Sequence, residues 1–446
     1  MSTETPSENT VAGPKWYTRI GPGLITACVV IGPGSIMTSS TIGAKDGYSM
    51  LWVVVVSVAF MMVYMTLGAK LGAVAAEAPC DLIRRKAGRW LSVSLGIGVF
   101  FISAAFQSGN NIGVAAAFEA FIESKTIVAW LIIGFNLMAI LFLFVFKDMY
   151  KTLEKLMMAF VALMLISFAI NLISLKPSVA GLVRGFIPSL KKVEDPLAVL
   201  GLIGTTFVIT AAFYQAYLVR QKGWKAKDLD SGLVDARVGS IIMFLITVML
   251  MSTAAAAFLG KPNVELGNPV QVATALESTF GASAKVIFCL GLFSAAYSSF
   301  LVNSMIGGFM AADGLGWGSR PTDLGPRLMT TAALLTGMGV GVAVLVFDFD
   351  RTPTIIAAQA VTVVAAPLVA GVLLWLTSSR DVMGDNVNGP GTTIFAGVGL
   401  VMLVAMAGKT AFVDLPKKVE DYRNAQAAAE AEDLLNAIPD ENGAER

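Results

Sequence analysis

The chain has 446 residues, of which 56% are hydrophobic and 14% charged, with a formal net charge of +1. Soluble domains average about 25% charged residues, so this composition and the mean hydropathy of +0.73 exclude a soluble globular protein and define an integral membrane one. The balanced charge gives no ground for a nucleic-acid or acidic partner, and the complete absence of histidine removes the commonest transition-metal ligand and proton shuttle.

In chain order, MSTETPSENTVAGPK (1–15) reads as a disordered tail without the apolar core of a cleaved signal peptide. Eleven apolar stretches then reach the length of about 20 residues that a membrane helix needs. They lie near 20–44, 49–76, 92–120, 126–146, 152–175, 196–219, 238–259, 284–312, 328–347, 354–377 and 392–412. The loops on the side of the N-terminus hold most of the Lys and Arg, including Arg84, Arg85, Lys86 and Arg89, and Arg220, Lys222, Lys225 and Lys227. This bias predicts a cytoplasmic N-terminus in a plasma (inner) membrane and, with eleven spans, an outside C-terminus. The tail 413–446 is polar, acidic and Ala-rich, and reads as a short amphipathic helix or a disordered appendage. Cys28, Cys80 and Cys289 are far apart without metal-ligand spacing and read as small buried hydrophobes.

Four places inside the spans break the apolar pattern. Gly32-Pro33-Gly34-Ser35 interrupts the first span. Pro33 lacks an N–H and clashes with the preceding turn, so carbonyls nearby lose helical partners; a kink and a ligand site are equally open. Thr205, Thr206 and Thr210 cluster in the sixth span. Threonines there ordinarily bond back to their own helix, but interruptions in corresponding spans of two repeats mark a transporter site. Gln107 and Asn110, three residues apart with Ser108 and Asn111 beside them, share a face of the third span and are either interhelical glue or the lining of a path. Gln359 stands alone between alanines in the tenth span, with the same two readings. There is no phosphate-binding GxxxxGK[ST], no HExxH and, without His, no familiar hydrolase triad. Catalysis is not expected, no cofactor is implied, and transport is.

GPGLITACVVIGPGS, KDGYSMLW and LGAKLGAV resemble the opening of the Nramp divalent-metal transporters. VLGLIGTTFVITAAFYQAYLV resembles their sixth helix, AAQAVTVVAAPL their tenth and SSRDVMGD the loop after it. The similarity covers roughly 17–410. It implies an all-α integral membrane protein with a LeuT-like fold of about 11 transmembrane helices: two inverted five-helix repeats with helices 1 and 6 unwound at the midplane. The transporter domain is then 16–412, with repeat one about 20–175, repeat two about 196–377 and an extra helix about 392–412.

The departures from the family pattern are concentrated at its functional positions. The family's first unwound segment reads Asp-Pro-Gly-Asn and binds the metal through Asp and Asn; Gly32 and Ser35 stand there instead. Thr205 takes the place of the family's carbonyl ligand. Val208 takes that of its metal-binding Met, or Ala211 in a shifted register. Ile209 and Thr210 replace the following Pro-His. The third-helix acidic pair, tied in the family to proton movement, falls on Gln107 and Asn110, and a second sixth-helix His on Gln215. Gln359 keeps the family's Gln. Together these changes resemble the Nramp-related magnesium transporter branch.

The resemblance implies transport of Mg²⁺, and of Mn²⁺, held largely hydrated by Gly32, Ser35, Thr205, Thr206, Val208, Thr210, Ala211 and Gln359, with backbone carbonyls near Ile31 and Gly32 as the countercharge. It implies no proton coupling. Divalent cations and the lipid bilayer are the expected partners, with no obligate protein partner. The alternatives are a non-transporting receptor or scaffold on the same fold, and a transporter of a neutral solute.

Overall fold

The computed structural model describes residues 21–146, 148–188, 196–261, 269–347 and 352–436; the expected tail 1–15 lies outside them. The regular elements are helices: α1 Pro22–Val30, α2 Pro33–Asp46, α3 Leu51–Val74, α4 Pro79–Ala87, α5 Arg89–Glu119, α6 Lys125–Val145, α7 Met149–Ser174, α8 Val179–Gly185 and α9 Pro196–Thr206. They continue with α10 Ile209–Lys222, α11 Leu229–Phe258, α12 Pro269–Phe280, α13 Ala282–Leu315, α14 Leu324–Val346, α15 Thr352–Thr377, α16 Arg380–Met383, α17 Pro390–Lys409 and α18 Leu415–Asn436.

Among the described residues nine helical segments are long and apolar enough to cross a membrane, and α1 with α2 makes a tenth, bent by 58° at its break. The remaining one of the eleven expected spans, near 354–377, falls on α15, whose stretch 365–377 is apolar. The short helices α4, α8, α12 and α16 lie between spans. The polar tail is helical over its first part: one π-helical turn, Thr410–Asp414, joins α17 to α18.

The breaks differ from their expected form in two ways. In the first span the interruption falls on Ile31 and Gly32, and Pro33-Gly34-Ser35 are already the first turn of α2. Pro33 occupies the first helical position, where its missing N–H costs nothing. The sixth span is interrupted at Phe207 and Val208 without a proline or glycine at either position, while its halves continue as one span, Gly201–Lys222. The weak sequence signal there conceals a real break.

The core runs through α13, which packs along α5, α14 and α7, while α11 backs α2 and α3, and α10 lies against α3. Small residues let these backbones approach closely, as membrane helices require where lipid offers no hydrophobic drive for association. A Cβ added at Gly68 or Gly72 of α3 would collide with the carbonyls of Ala212 and Ala216 in α10. A Cβ at Gly23 of α1 would meet the Asp235 carbonyl of α11, and one at Gly239 of α11 the Gly23 carbonyl.

Overpacking such a contact costs about 1–3 kcal/mol. Gly72→Val is therefore expected to lower the thermal midpoint of the detergent-purified protein by several degrees. Gly397→Ala on α17, which has nothing within 4 Å of the added Cβ, is expected to leave it unchanged. Equal midpoints for the two variants would show that α3 and α10 do not pack as described.

Candidate ion site

An α-helix leaves its last four carbonyls without intrahelical partners. When α1 stops at Val30, those carbonyls face the interior of the bundle, and side chains from other helices take them up. Ser35 Oγ donates to the Val30 carbonyl at 2.5 Å, and Ser299 Oγ of α13 to the Val29 carbonyl at 3.2 Å. Ser35 Oγ also lies 3.3 Å from the Thr205 carbonyl at the end of α9. The C-terminal ends of two half-helices, each carrying partial negative charge, thus converge on one hydroxyl.

The Gly32 carbonyl accepts the Ile36 N–H at 3.1 Å, an ordinary first-turn bond of α2. Of the two carbonyls expected to serve as countercharge, Ile31's is the uncommitted one: no donor among the described residues reaches it. The Thr205 hydroxyl bonds back to Gly201 at 2.9 Å and meets Thr38 Oγ1 at 3.2 Å. Thr205 therefore presents its carbonyl, and not its hydroxyl, to Ser35. Thr206 is buried with an unpaired hydroxyl. The Val208 carbonyl is taken by the amides of Ala211 and Ala212 in the first turn of α10. Thr210 and Ala211 are buried in that turn. Gln359 falls on α15, but its side chain lies outside the described residues.

Access is one-sided. Gly34 and Gly204 are exposed and Thr38, Thr205 and Val208 half-buried, all along α2, α9 and the break. Every residue of α1 and every residue of α10 from Ile209 to Val219 is buried. The break is open along α2 and α9 and closed along α1 and α10.

The expected proton-path positions separate in space. Gln107 and Asn110 are bonded to each other, Asn110 Nδ2 donating to Gln107 Oε1 at 3.3 Å. They begin an uncharged network in which Asn111 Nδ2 donates to the Gln107 carbonyl at 2.8 Å and Asn136 Nδ2 to Asn111 Oδ1 at 2.7 Å. Gln215 lies seven residues beyond Val208, about 10 Å along the helix axis, and belongs to a different cluster. Its Oε1 accepts from Thr26 Oγ1 at 2.5 Å, and its Nε2 donates to Asp235 at 3.2 Å. Asp235 is fully buried in α11 and accepts the backbone N–H groups of Gly21 at 2.7 Å and Gly23 at 2.5 Å. A carboxylate at the amino end of a helix complements its dipole. Asp235 and Gln215 together clamp α1 shut.

Ser299, Thr38 and Asp235 were not singled out from sequence. The span of Ser299 had a signal, since Ser294, Ser298, Asn303 and Ser304 accompany it among apolar residues, but nothing in that run singles out Ser299 itself. Asp235 had another, a carboxylate near the amino end of a long span.

These features define a multi-pass membrane protein with two helices interrupted in the middle of the bundle. A family model described as "Natural resistance-associated macrophage protein-like", Nramp, matches residues 23–412, and the chain belongs to that family. It is similar to the divalent metal cation transporter MntH of Deinococcus radiodurans, 25% identical over 412 residues, covering 89% of this chain and 91% of the other. The MntH of Pectobacterium carotovorum subsp. carotovorum is 26% identical over 395 residues, covering 87% and 92%. Among solved structures, the Eremococcus coleocola manganese transporter, in complex with an aromatic bis-isothiourea substituted compound, superposes with a TM-score of 0.74 at 19% identity over 92% of this chain and 89% of the other. MhsT in complex with L-phenylalanine superposes at 0.59 and 16% identity over 89% and 100%. The fold is LeuT-like: two inverted five-helix repeats with the first and sixth helices unwound.

Removing an acceptor from two buried amides costs about 1–3 kcal/mol, a shift of roughly ten- to a hundredfold in an opening equilibrium. Cys28 is buried in α1 and reports that opening. With Cys80 and Cys289 replaced by Ala, Asp235→Ala is expected to speed labelling of Cys28 by a small thiol reagent about tenfold or more. An unchanged rate would remove Asp235 from the clamp.

Proposed function

We propose that the protein carries divalent cations across the membrane, Mg²⁺ first and Mn²⁺ as well, bound largely hydrated and without coupled proton movement. The observation that supports this reading best is the convergence of the Val30 and Thr205 carbonyls on Ser35 Oγ, with no carboxylate in residues 20–44 or 196–219. Among the described residues no group of three His, Cys, Asp or Glu could hold a metal directly. Soft and borderline ions are selected by thioether and imidazole; oxygen-only surroundings suit Mg²⁺ and Mn²⁺. Mg²⁺ keeps several waters in most sites, and an uncharged, hydroxyl- and carbonyl-lined break suits such an ion. The relatives named divalent metal cation transporters support the class of substrate.

The neutral lining also supports uncoupled movement. The positions where the family carries protonatable side chains hold Gln107, Asn110, Thr210 and Gln215, none of which titrates. The membrane potential then drives uptake, at about 2.3 kcal/mol per charge per 100 mV and twice that for a divalent ion. With the N-terminus cytoplasmic, as the Lys and Arg bias supports, the open α2–α9 side faces outward.

In proteoliposomes, Mg²⁺ uptake is expected to rise with an inside-negative potential while lumenal pH stays constant. Acidification that tracks uptake would overturn the uncoupled reading; absence of Mg²⁺ and Mn²⁺ flux at every potential would favour a receptor or a neutral-solute carrier. The paired change Gly32→Asp with Ser35→Asn is expected to shift competition between the ions toward Mn²⁺ by about tenfold. Equal loss of both fluxes would assign these positions a structural role only.

A further inference from the structure

We infer that Asn110 and Ser299 form the acceptor wall of the ion site on the side where Gly32 has no side chain, and that they hold the water shell of the cation; this rests on the transport reading above. A Cβ built on Gly32 points at Ser299 Oγ, 3.0 Å away, and at Asn110 Oδ1, 3.5 Å away. Both residues are 4% exposed. The place where a side chain at position 32 would project is therefore bordered by two oxygens, from α13 and from α5.

The Ser299 hydroxyl donates its one proton to the Val29 carbonyl, and Asn110 Nδ2 donates one of its two N–H groups to Gln107. The side-chain oxygen of each remains as an acceptor. A water bound to a cation turns its oxygen to the ion and its hydrogens outward, so the wall of a hydrated-ion site must accept hydrogen bonds. Asn110 Oδ1 and Ser299 Oγ have that polarity, and the uncommitted Ile31 carbonyl adds a third acceptor at the same break.

Gln107 orients the wall without belonging to it. Its Oε1 anchors the Asn110 amide, and the Ser103 carbonyl farther along α5 holds Asn303, one turn of α13 beyond Ser299, at 2.8 Å. By resemblance Asn110 stands on a proton route. By position it borders the break, and its neutral oxygen serves the ion's water.

The test is Mn²⁺ binding to the full-length, detergent-purified protein, followed by isothermal titration. Asn110→Asp and Ser299→Asp each place a carboxylate on the wall, close enough for Coulomb attraction to tighten Mn²⁺ binding by about tenfold or more over wild type. If one variant fails to fold, the other carries the test. Folded, monodisperse variants with wild-type affinity would overturn the wall. The outcome is separable from the transport reading: flux in wild type with unchanged binding in both variants sinks the wall alone. Tightened binding in a protein that shows no flux sinks transport and leaves the wall.

Discussion

A backbone carbonyl uncovered inside a membrane protein must find a partner, because the surrounding lipid offers none. Stopping α1 at Val30 uncovers several at once. Ser35 and Ser299 answer two of them from different directions, one from the next half-helix and one from α13. These hydroxyls hold the ends of the 58° bend together while leaving it polar. The sixth span ends its first half at Thr206, one residue beyond the Thr205 carbonyl that reaches the same Ser35 oxygen. The two interruptions are thereby tied at a single atom, and the polar centre of the molecule is built around that tie.

The rest of the bundle is arranged asymmetrically about it. On the closed side α1 is held by glycine-to-backbone contacts with α11, by the Asp235 carboxylate under its first amides and by Thr26 on Gln215. On the open side α2 and α9 meet through the threonine pair, Thr38 with Thr205, and through Ser35 Oγ at the Thr205 carbonyl. Alternating access on this fold moves one part of the structure against another around a fixed site. The clamp at Asp235 is the set of bonds that must break for α1 to move, and the threonine pair is the thin contact that closure of the other side would extend. A few hydrogen bonds worth about 1 kcal/mol each are a barrier that ion binding can overcome, whereas a fully zipped hydrophobic interface would lock one state.

The legibility of this architecture followed the chemistry of each element. Ten of the eleven expected spans were plain from apolar length, and the first interruption from Pro33 with its flanking glycines. The second left almost no trace, because Phe207 and Val208 are ordinary helix residues in membrane sequences. Local composition cannot reveal a break that is held open by tertiary partners, here the bond from Ser35. Thr205 shows the same limit at one residue: its hydroxyl behaves as any membrane threonine does and bonds back to its helix, and the carbonyl that matters is invisible in a sequence. Asn110 and Gln215 read alike, as amides where charged groups are usual in the family. Only their places in the fold separate them, one at the break and the other about two turns away from it. Ser299 was obscured by its own company, since a span with several serines offers no reason to choose one.

Charge sets the character of the site. Two half-helix carboxyl ends contribute about half a negative charge each, roughly one unit against a cation of two. Deep burial of an ion with so little compensation is unfavourable unless water stays with it, because desolvating even a single charge costs several kcal/mol. An ion that sheds water easily gains little here over one that keeps it. An ion that dehydrates reluctantly, as Mg²⁺ does, is the kind that the function proposed above places at this break. The glycine at position 32 then has a reason beyond tolerance of the bend. Any side chain there would meet Ser299 and Asn110. The interruption supplies carbonyls, and the two half-helix ends supply only partial compensation for a divalent charge.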